Sequence, residues 1–472
     1  MTTRLWFALG LSFAIAACTQ PKTADSVLHG SAEKIGEPTS IEYSGNGGSG
    51  FFGQAVLAGQ AWPMRELASF TRAIDYAQRA AREELNFAQP QFGGQQQIVV
   101  VNGERAWNVG PNGPVPQPAG AEERQLSIWL TPHGFVKAAH DSMNATLVED
   151  AGNDVVTFTA LGKYTVRGTI DAQGLVTRVE TAIPTPVLGD TPIVATYSGY
   201  RDFGGVQFPT KIVVTQGGFP VWDLDIANVR ANQPVDLPVP ESVASAAAPP
   251  PQPVVSTELA DGVWLVAGGS HHSVVVEFAD YLAIVEAPLT EQRSLAVLEE
   301  ARRLAPGKSV RYVLTTHHHF DHTGGLRTYA AEGVTVVTHQ TNVAYFEDAL
   351  AAPATLSPDL QSRNQRTPTL QGVADKHVIT DGTQTIEIYA TGGDTHTGEY
   401  TLVYLPGPKI LVEGDPYSPG PPDAAPPATP PPNAVALFDS LQTLGLDVAT
   451  IAPIHGRGAV PFAEFLAFIG RQ

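Results

Sequence analysis

The sequence predicts an α+β protein of two domains: an antiparallel sheet with a covering helix, then a layered domain of buried strands and outer helices. Three observations carry this reading. Residues 236–256 are rich in Pro and Ala and poor in large apolar side chains, the composition of a semi-rigid linker. Before that stretch, short β-rich runs are separated by turn signals. After it, apolar runs end in Gly, His or Asp, and segments with helical apolar spacing lie between them. The length of 472 residues accommodates two domains, and an apolar fraction of 43% supplies a sizeable core and excludes wholesale disorder. A formal charge of −19 repels polyphosphate, so no nucleic-acid partner is expected. No apolar run reaches the roughly 18 residues of an ordinary transmembrane helix.

Residues 1–18 read as an export signal. Arg4 supplies the positive start, and 5–17 form an almost unbroken apolar run of signal-peptide length. The run ends Ile15-Ala16-Ala17-Cys18, which resembles the lipobox of bacterial lipoproteins. That resemblance implies acylation of Cys18 and a membrane anchor through it. Cys18 is the single cysteine, so no intramolecular disulfide forms. Thr19 follows in place of Asp, which among Gram-negative lipoproteins implies the periplasmic face of the outer membrane. Polar, Gly-rich residues 19–50 are expected as a flexible tether.

The first domain is expected over 51–235. Leu67, Phe70, Ile74, Ala77, Ala81 and Leu85 recur at three- and four-residue steps and predict one amphipathic helix. Strands are expected at 97–101, 155–160, 164–171, 176–182, 193–200, 211–215 and 221–229. Turn signals such as Asp171-Ala172-Gln173-Gly174 and Gly217-Gly218 divide them. The segments 171–180 and 200–209 resemble periplasmic half-barrel domains related to lipoprotein carriers. Such a domain binds an apolar ligand or serves as a spacer. His133 and His140 stand here without a partner motif and are read as structural or surface residues.

The second domain, over 257–472, carries the chemistry. A buried strand at 310–315 runs into Thr316-His317-His318-His319-Phe320-Asp321-His322-Thr323-Gly324-Gly325. In an extended segment His317, His319 and Asp321 point to one side. His322 joins them if the chain turns into a helix at Asp321, while His318 and Phe320 point away. Imidazole and carboxylate side chains are zinc ligands, and a catalytic site keeps a position for water. Further donors are expected at strand ends, where sites in layered α/β folds gather. They are His396 in the Gly-rich turn 391–398, Asp415 after 410–414, and His455 after 448–454.

This set resembles the metallo-β-lactamase-fold hydrolase superfamily, whose His-x-His-x-Asp-His motif is met by His317, His319, Asp321 and His322. Its later ligands are met by His396, Asp415 and His455. The resemblance implies a four-layer αββα sandwich with the site on one edge. It implies one metal on His317, His319 and His396, a second on Asp321, His322 and His455, and Asp415 bridging both. Two Zn²⁺ are the expected ions, and iron or manganese suits the same donors. A shared hydroxide attacking a carbonyl is the implied chemistry, with Asp321 holding it and passing on its proton. Tyr417 is read as a donor to the developing oxyanion, with packing as the alternative. Glu286 takes the strand end where the family often has an Asp near the metal-bound histidines. His318 is read as packed or supporting, Asp394 as orienting His396 or making a turn, and His271 and His272 as non-ligands.

Asp415 stands where groups of zinc β-lactamases have Cys or Ser. The full Asp-bridged set is similar to glyoxalase II, lactonases and related ester or thioester hydrolases, so a small carbonyl substrate is expected and a true β-lactamase is disfavoured. The alternatives are an iron-dependent sulfur dioxygenase and a non-enzymatic ligand-binding lipoprotein. Nine prolines at 416–432 exclude a regular helix or central strand and suggest a stiff lid. Helices at 291–304 and 433–444 and an apolar final helix at 462–469 complete the domain. Oligomeric state is not legible.

Overall fold

The computed structural model describes residues 22–90, 94–247 and 253–471. The signal segment and Cys18 lie outside these residues.

The segment expected as a tether is built into the first domain. Ala24–Ile35 is a helix, started by a reciprocal capping box. Thr23 Oγ1 accepts from Ser26 N at 3.1 Å, and Ser26 Oγ accepts from Thr23 N at 2.9 Å. Ser40–Gly50 is a strand, paired with Met64–Asp75 on one side and Phe219–Ala231 on the other. Its glycines, which suggested flexibility, permit close approach instead. A Cβ on Gly45 would lie 1.8 Å from Asp225 O, and one on Gly47 would lie 2.1 Å from Asp223 O.

The helix expected over 67–85 is a hairpin of strands Met64–Asp75 and Ala80–Phe87. A bulge between Leu67 and Ser69 turns the two-residue strand period into the three-residue step from Leu67 to Phe70. Phe70 and Ile74, like Ala81 and Leu85, then share a face by ordinary alternation. The bulge and the turn together imitate a helical spacing.

Among the described residues thirteen strands form one antiparallel sheet, from Gly113–Pro116 at one edge to Thr146–Asp150 at the other. The helices Ala24–Ile35, Ala121–Trp129 and Pro132–Asp141 carry buried side chains into the same core. Leu28, Ile35, Phe70, Phe135, Val166 and Val179 are among its members. His133 is buried there; its Nε2 lies 3.1 Å from Ile35 O, and its ring stacks on Phe208. His140 is exposed.

The expected linker is docked at both ends. Val243, in the short helix Glu241–Ala244, is buried with Val100 and Trp107, and Asn102 Nδ2 donates to Leu237 O at 2.9 Å. Val255–Ala260 is already the edge strand of the second domain. The apolar residues between the prolines are what attach this stretch.

The second domain contains two sheets. One has seven strands in sequence order from Val255–Ala260 to Thr369–Val373; the other has six, from Lys376–Thr380 to Val460–Pro461. In the first sheet an antiparallel meander ends at Tyr281–Val285, and the strands beyond it pair in parallel. The sheets share a core that includes Val274, Val276, Leu314, Val337, Ile388, Val403, Val412 and Ile454. Val275, on the opposite face, packs with Leu298 of the helix Glu291–Leu304 and with Phe346 of Val343–Ala351. The far face of the second sheet packs Leu402 and Leu411 against Leu437 and Phe465 of the helices Pro432–Leu444 and Phe462–Phe468. Central strands buried on both faces explain their unbroken apolar runs. The Pro-rich tract is irregular and largely exposed over 420–429; Arg457 Nε donates to Gly420 O at 2.7 Å near its start.

Burial lowers the His133 imidazole to about 4. Below about pH 6.5 the unfolded chain takes up a proton that the folded chain refuses until about pH 4. Stability should therefore fall through this window as pH drops, by on the order of 3 kcal/mol from this group. Urea unfolding of the full chain across pH 4–7, compared with a His133→Gln variant, isolates it from the other histidines. The variant should lose that part of the slope.

Candidate metal centre

The strand Ser309–Leu314 is interior in its sheet, and the residues that follow it make a sharp transition into the short helix Phe320–Thr323. Thr401 N donates to Thr316 O at 2.7 Å, tying this transition to the second sheet. Gly325 lets the chain pass under the first helix of the domain: a Cβ there would lie 1.9 Å from Ser294 Oγ. These contacts turn His317, His319, Asp321 and His322 toward one region. The second sheet delivers the rest. His396 comes from the turn after Thr385–Gly392, Asp415 follows Ile410–Glu413, and His455 follows Thr450–Pro453.

The side chains converge as two groups, each with its donor atoms within 4.8 Å of one another. One is His317, His319, His396 and Asp415; the other is His271, Asp321, His322 and His455. Asp415 lies between them. Its Oδ2 is 2.6 Å from His396 Nε2 and 3.7 Å from His317 Nε2. Its Oδ1 is 2.8 Å from His322 Nε2 and 2.9 Å from His455 Nε2.

The donors fit metal ions on three observations. His319 Nδ1 is 3.0 Å from His396 Nε2, and His322 Nε2 is 3.2 Å from His455 Nε2. Tetrahedral zinc with Zn–N of about 2.0–2.1 Å sets its ligand atoms about 3.3 Å apart. Second, His317 Nε2 is buried without a hydrogen-bond partner, and so is Asp415 Oδ1, its near imidazoles being misaligned for hydrogen bonding. Third, ionisation suits metal binding at most of these positions. Burial and then the charge on His322 lower the His317 imidazole well below its usual value. Burial, with His396 next, pushes His319 down to about 3. Burial alone would raise the Asp415 carboxyl, but His322 and His317 hold it well below the ordinary carboxylate range. His322 is the exception without a cation beside it. Burial alone would lower it, but Asp415 and Glu286 raise it well above its usual value.

Supporting residues surround the donors. Glu286 is buried and lies at φ +73°; its Oε2 is 2.6 Å from His322 Nδ1 and its Oε1 accepts from Thr316 N at 2.5 Å. Donation from Nδ1 fixes the ring and leaves Nε2 free toward the site. His318 points away from both groups, with Nδ1 2.6 Å from Glu399 Oε1. Asp394 makes the turn, its Oδ1 accepting from His396 N at 2.7 Å and Thr397 N at 3.3 Å. His272 supports the neighbouring loop through Nε2, 2.9 Å from Gly456 O.

Tyr417 does not face the donors. The chain turns after Asp415, Tyr417 N donates to Glu413 Oε2 at 3.2 Å, and the ring packs 5.0 Å from both Phe465 and Phe468. It belongs to the core under the last helix. His271 does face the donors, with Nε2 3.3 Å from Asp321 Oδ2 and its ring centroid 4.1 Å from that of His455. Buried Arg293 holds its backbone, Nη2 donating to His271 O at 2.9 Å. The sequence signal was the His271-His272 pair opening a strand: alternation sends one of two consecutive side chains to the site. A segment of the first domain, 51–63, also reaches the centre, and nothing local in the sequence indicates it.

Residues 266–455 match the family described as the Metallo-beta-lactamase superfamily, and this part of the chain is a metallo-beta-lactamase superfamily domain. Solved structures similar to the chain include a metallo-beta-lactamase from Pontibacter korlensis, at 20% identity over 46% of this chain and 100% of that one, with a TM-score of 0.34. Another is a metallo beta lactamase from Hirschia baltica, at 20% identity over 47% and 99%, also with a TM-score of 0.34. A third is the metallo-beta-lactamase FIM-1 from Pseudomonas aeruginosa in its mono-zinc form, at 18% over 46% and 94%, with the same TM-score. No curated protein matches the chain.

Glu286→Gln should test the support of His322. The amide must turn its NH₂ toward either Thr316 N–H or His322 Nδ1–H, setting donor against donor. Metal affinity at the His322 group should fall about 10- to 100-fold, measured by competition with a chromophoric chelator.

Proposed function

We propose that the chain is a dinuclear metal-dependent hydrolase, with zinc as the metal, acting on an ester, thioester or lactone. The observation that carries this reading is Asp415, whose two oxygens each face the imidazoles of one donor group. A carboxylate so placed would bridge two ions, the arrangement of the ester and thioester hydrolases that the ligand set resembles rather than of the β-lactamases that carry Cys or Ser there. We read the two sheets and their covering helices as the αββα sandwich of that superfamily, and the thirteen-stranded sheet with its helices as a half-barrel.

A pair of dications would lower the pKa of a water and polarise a carbonyl oxygen. The residues supply the remainder. His317, His319 and His396 would hold one ion; His322, His455 and Asp321 would hold the other. Burial alone would raise the Asp321 carboxyl, but the hydrogen bond with His271 and the charge on His322 keep it below its ordinary range. Ionised and held by His271, Asp321 would be oriented to accept a proton from the attacking water. His271 shares that carboxylate and positions it. Tyr417 has no part in this scheme.

We further read Cys18 as acylated, which would tether the enzyme to the periplasmic face of an outer membrane. The support is the apolar run and small residues that precede it.

Elemental analysis of the soluble form lacking residues 1–18 should give close to two zinc per chain. A panel of lactones, thioesters and aryl esters should show turnover that chelation abolishes and zinc restores, with β-lactams poorer substrates. Asp321→Asn should lower kcat about 10²- to 10⁴-fold. Full turnover by that variant with both metals in place would remove Asp321 from the chemistry, and one metal per chain would remove the bridging role of Asp415.

A further inference from the structure

We infer that the first domain completes the metal centre through the segment 51–63, in which Gln54 and the carbonyl of Ala55 are positioning groups for Asp321 and His319. The inference rests on the metal-binding reading above and extends it to residues outside the superfamily domain.

The segment connects the strands Ser40–Gly50 and Met64–Asp75 of the first sheet and crosses onto the second domain. Gln54 Nε2 donates to Asp321 Oδ1 at 2.8 Å. Ala55 O lies 2.9 Å from His319 Nε2 and 2.8 Å from His318 Nε2. A carbonyl has two lone pairs, so it can accept from both rings. Once Nε2 of His319 carries the donated proton, Nδ1 is the bare nitrogen, and Nδ1 is the atom 3.0 Å from His396 Nε2. The carbonyl thereby selects the tautomer that can ligate. Outer partners of this kind fix ring orientation and raise ligand basicity. Ala55 is 1% exposed, so water does not substitute for its carbonyl.

The segment is anchored on both domains. Phe320 N donates to Gly53 O at 3.1 Å, and Gly398 N donates to Val56 O at 2.6 Å. Trp62 Nε1 donates to Gln216 O at 3.0 Å in the first domain. Its ring and that of Phe52 meet Phe320 edge-on, with centroids 5.7 and 5.3 Å apart. Phe320, a spacer position in the His-x-His-x-Asp-His motif, is thus the socket for the first domain. Gly53 sits at φ +82°, and a Cβ there would lie 2.7 Å from Phe320 Cγ, so the crossing tolerates no side chain at that residue.

The test uses the full chain from residue 19, as wild type, Gln54→Ala, Gly53→Val and, as an exposed control on the same segment, Gln60→Ala. Zinc affinity is read by chelator competition, the cobalt-substituted spectrum reports ligand geometry, and the melting temperature of metal-free protein reports packing. Wild type and Gln60→Ala should bind two ions alike. Gln54→Ala should bind one of them about 10- to 100-fold more weakly and shift the cobalt absorption, with metal-free melting unchanged. Gly53→Val should weaken both ions; should it not fold, Gln54→Ala decides alone. Wild-type affinity and an unaltered cobalt spectrum in Gln54→Ala, with two ions on the parent, would overturn the inference and leave the metal-binding reading standing. A parent that binds no ion would overturn both.

Discussion

The buried carboxylate of Asp415, enclosed by imidazoles of two groups, is the constraint on which the rest of the centre depends. An ionised carboxylate in a dry site is costly unless paired. Four imidazole nitrogens approach its two oxygens within 3.7 Å, yet Oδ1 makes no aligned hydrogen bond. Ring nitrogens also face each other in each group, His319 Nδ1 and His396 Nε2 at 3.0 Å and His322 Nε2 and His455 Nε2 at 3.2 Å. Where both nitrogens present lone pairs they repel unless a cation sits between them, and where one carries a proton, as on His322 beside Asp415 and Glu286, a metal ion takes that proton's place. The arrangement is unfavourable as an ordinary polar core and favourable as a receptor for divalent ions.

Much of this was legible in the sequence, for reasons tied to particular residues. The cluster at 317–322 could be read because strand alternation and one turn are local rules. His396, Asp415 and His455 could be read because a polar side chain ending a buried apolar run needs a reason to be there. Of the two roles open to Tyr417 the structure shows packing, because a two-residue offset from a ligand implies the same face only while the chain stays extended, and it turns at Pro416. The hairpin Met64–Asp75 and Ala80–Phe87 imitated a helix because one bulge altered the spacing. The glycines before residue 50 signalled freedom but serve close packing against Asp223 and Asp225. Alternation at the start of the strand His271–Glu277 sends one histidine of the pair to the site without saying which; the segment 51–63 was beyond such rules, because its part in the centre exists only once the two domains have docked.

That docking alters how the chain divides. Composition marks a boundary near the prolines at 249–251, and each side has its own hydrophobic core. The chemistry does not respect the boundary. Ala55, Trp62 and Val221 form a small apolar cluster against which Phe320 packs, so residues of the first domain and of the ligand motif share one apolar contact. Conserving apolar contact in this cluster and hydrogen bonding at Gln54 are separable demands, since the ring contacts set where the segment lies and the polar atoms set what it does there.

The acids around the centre show how a site can be both charged and buried. Asp321 and Asp415 are held ionised and face the donor groups. Glu413, two residues before Asp415, is also fully buried, and desolvation drives it well above the ordinary carboxylate value, toward the neutral acid. A third negative charge behind Asp415 would compete with the bridge for the same cations and repel the carboxylate that makes it. The strand Ile410–Glu413 buries Glu413, whose Oε2 accepts from Tyr417 N at 3.2 Å, and releases Asp415 two residues later into the cluster of imidazoles. The same side-chain chemistry is thus neutralised on one side of a Gly and ionised on the other. That contrast comes from the strand ending at Gly414, where the absent Cβ lets the backbone pass against Thr316 and His317.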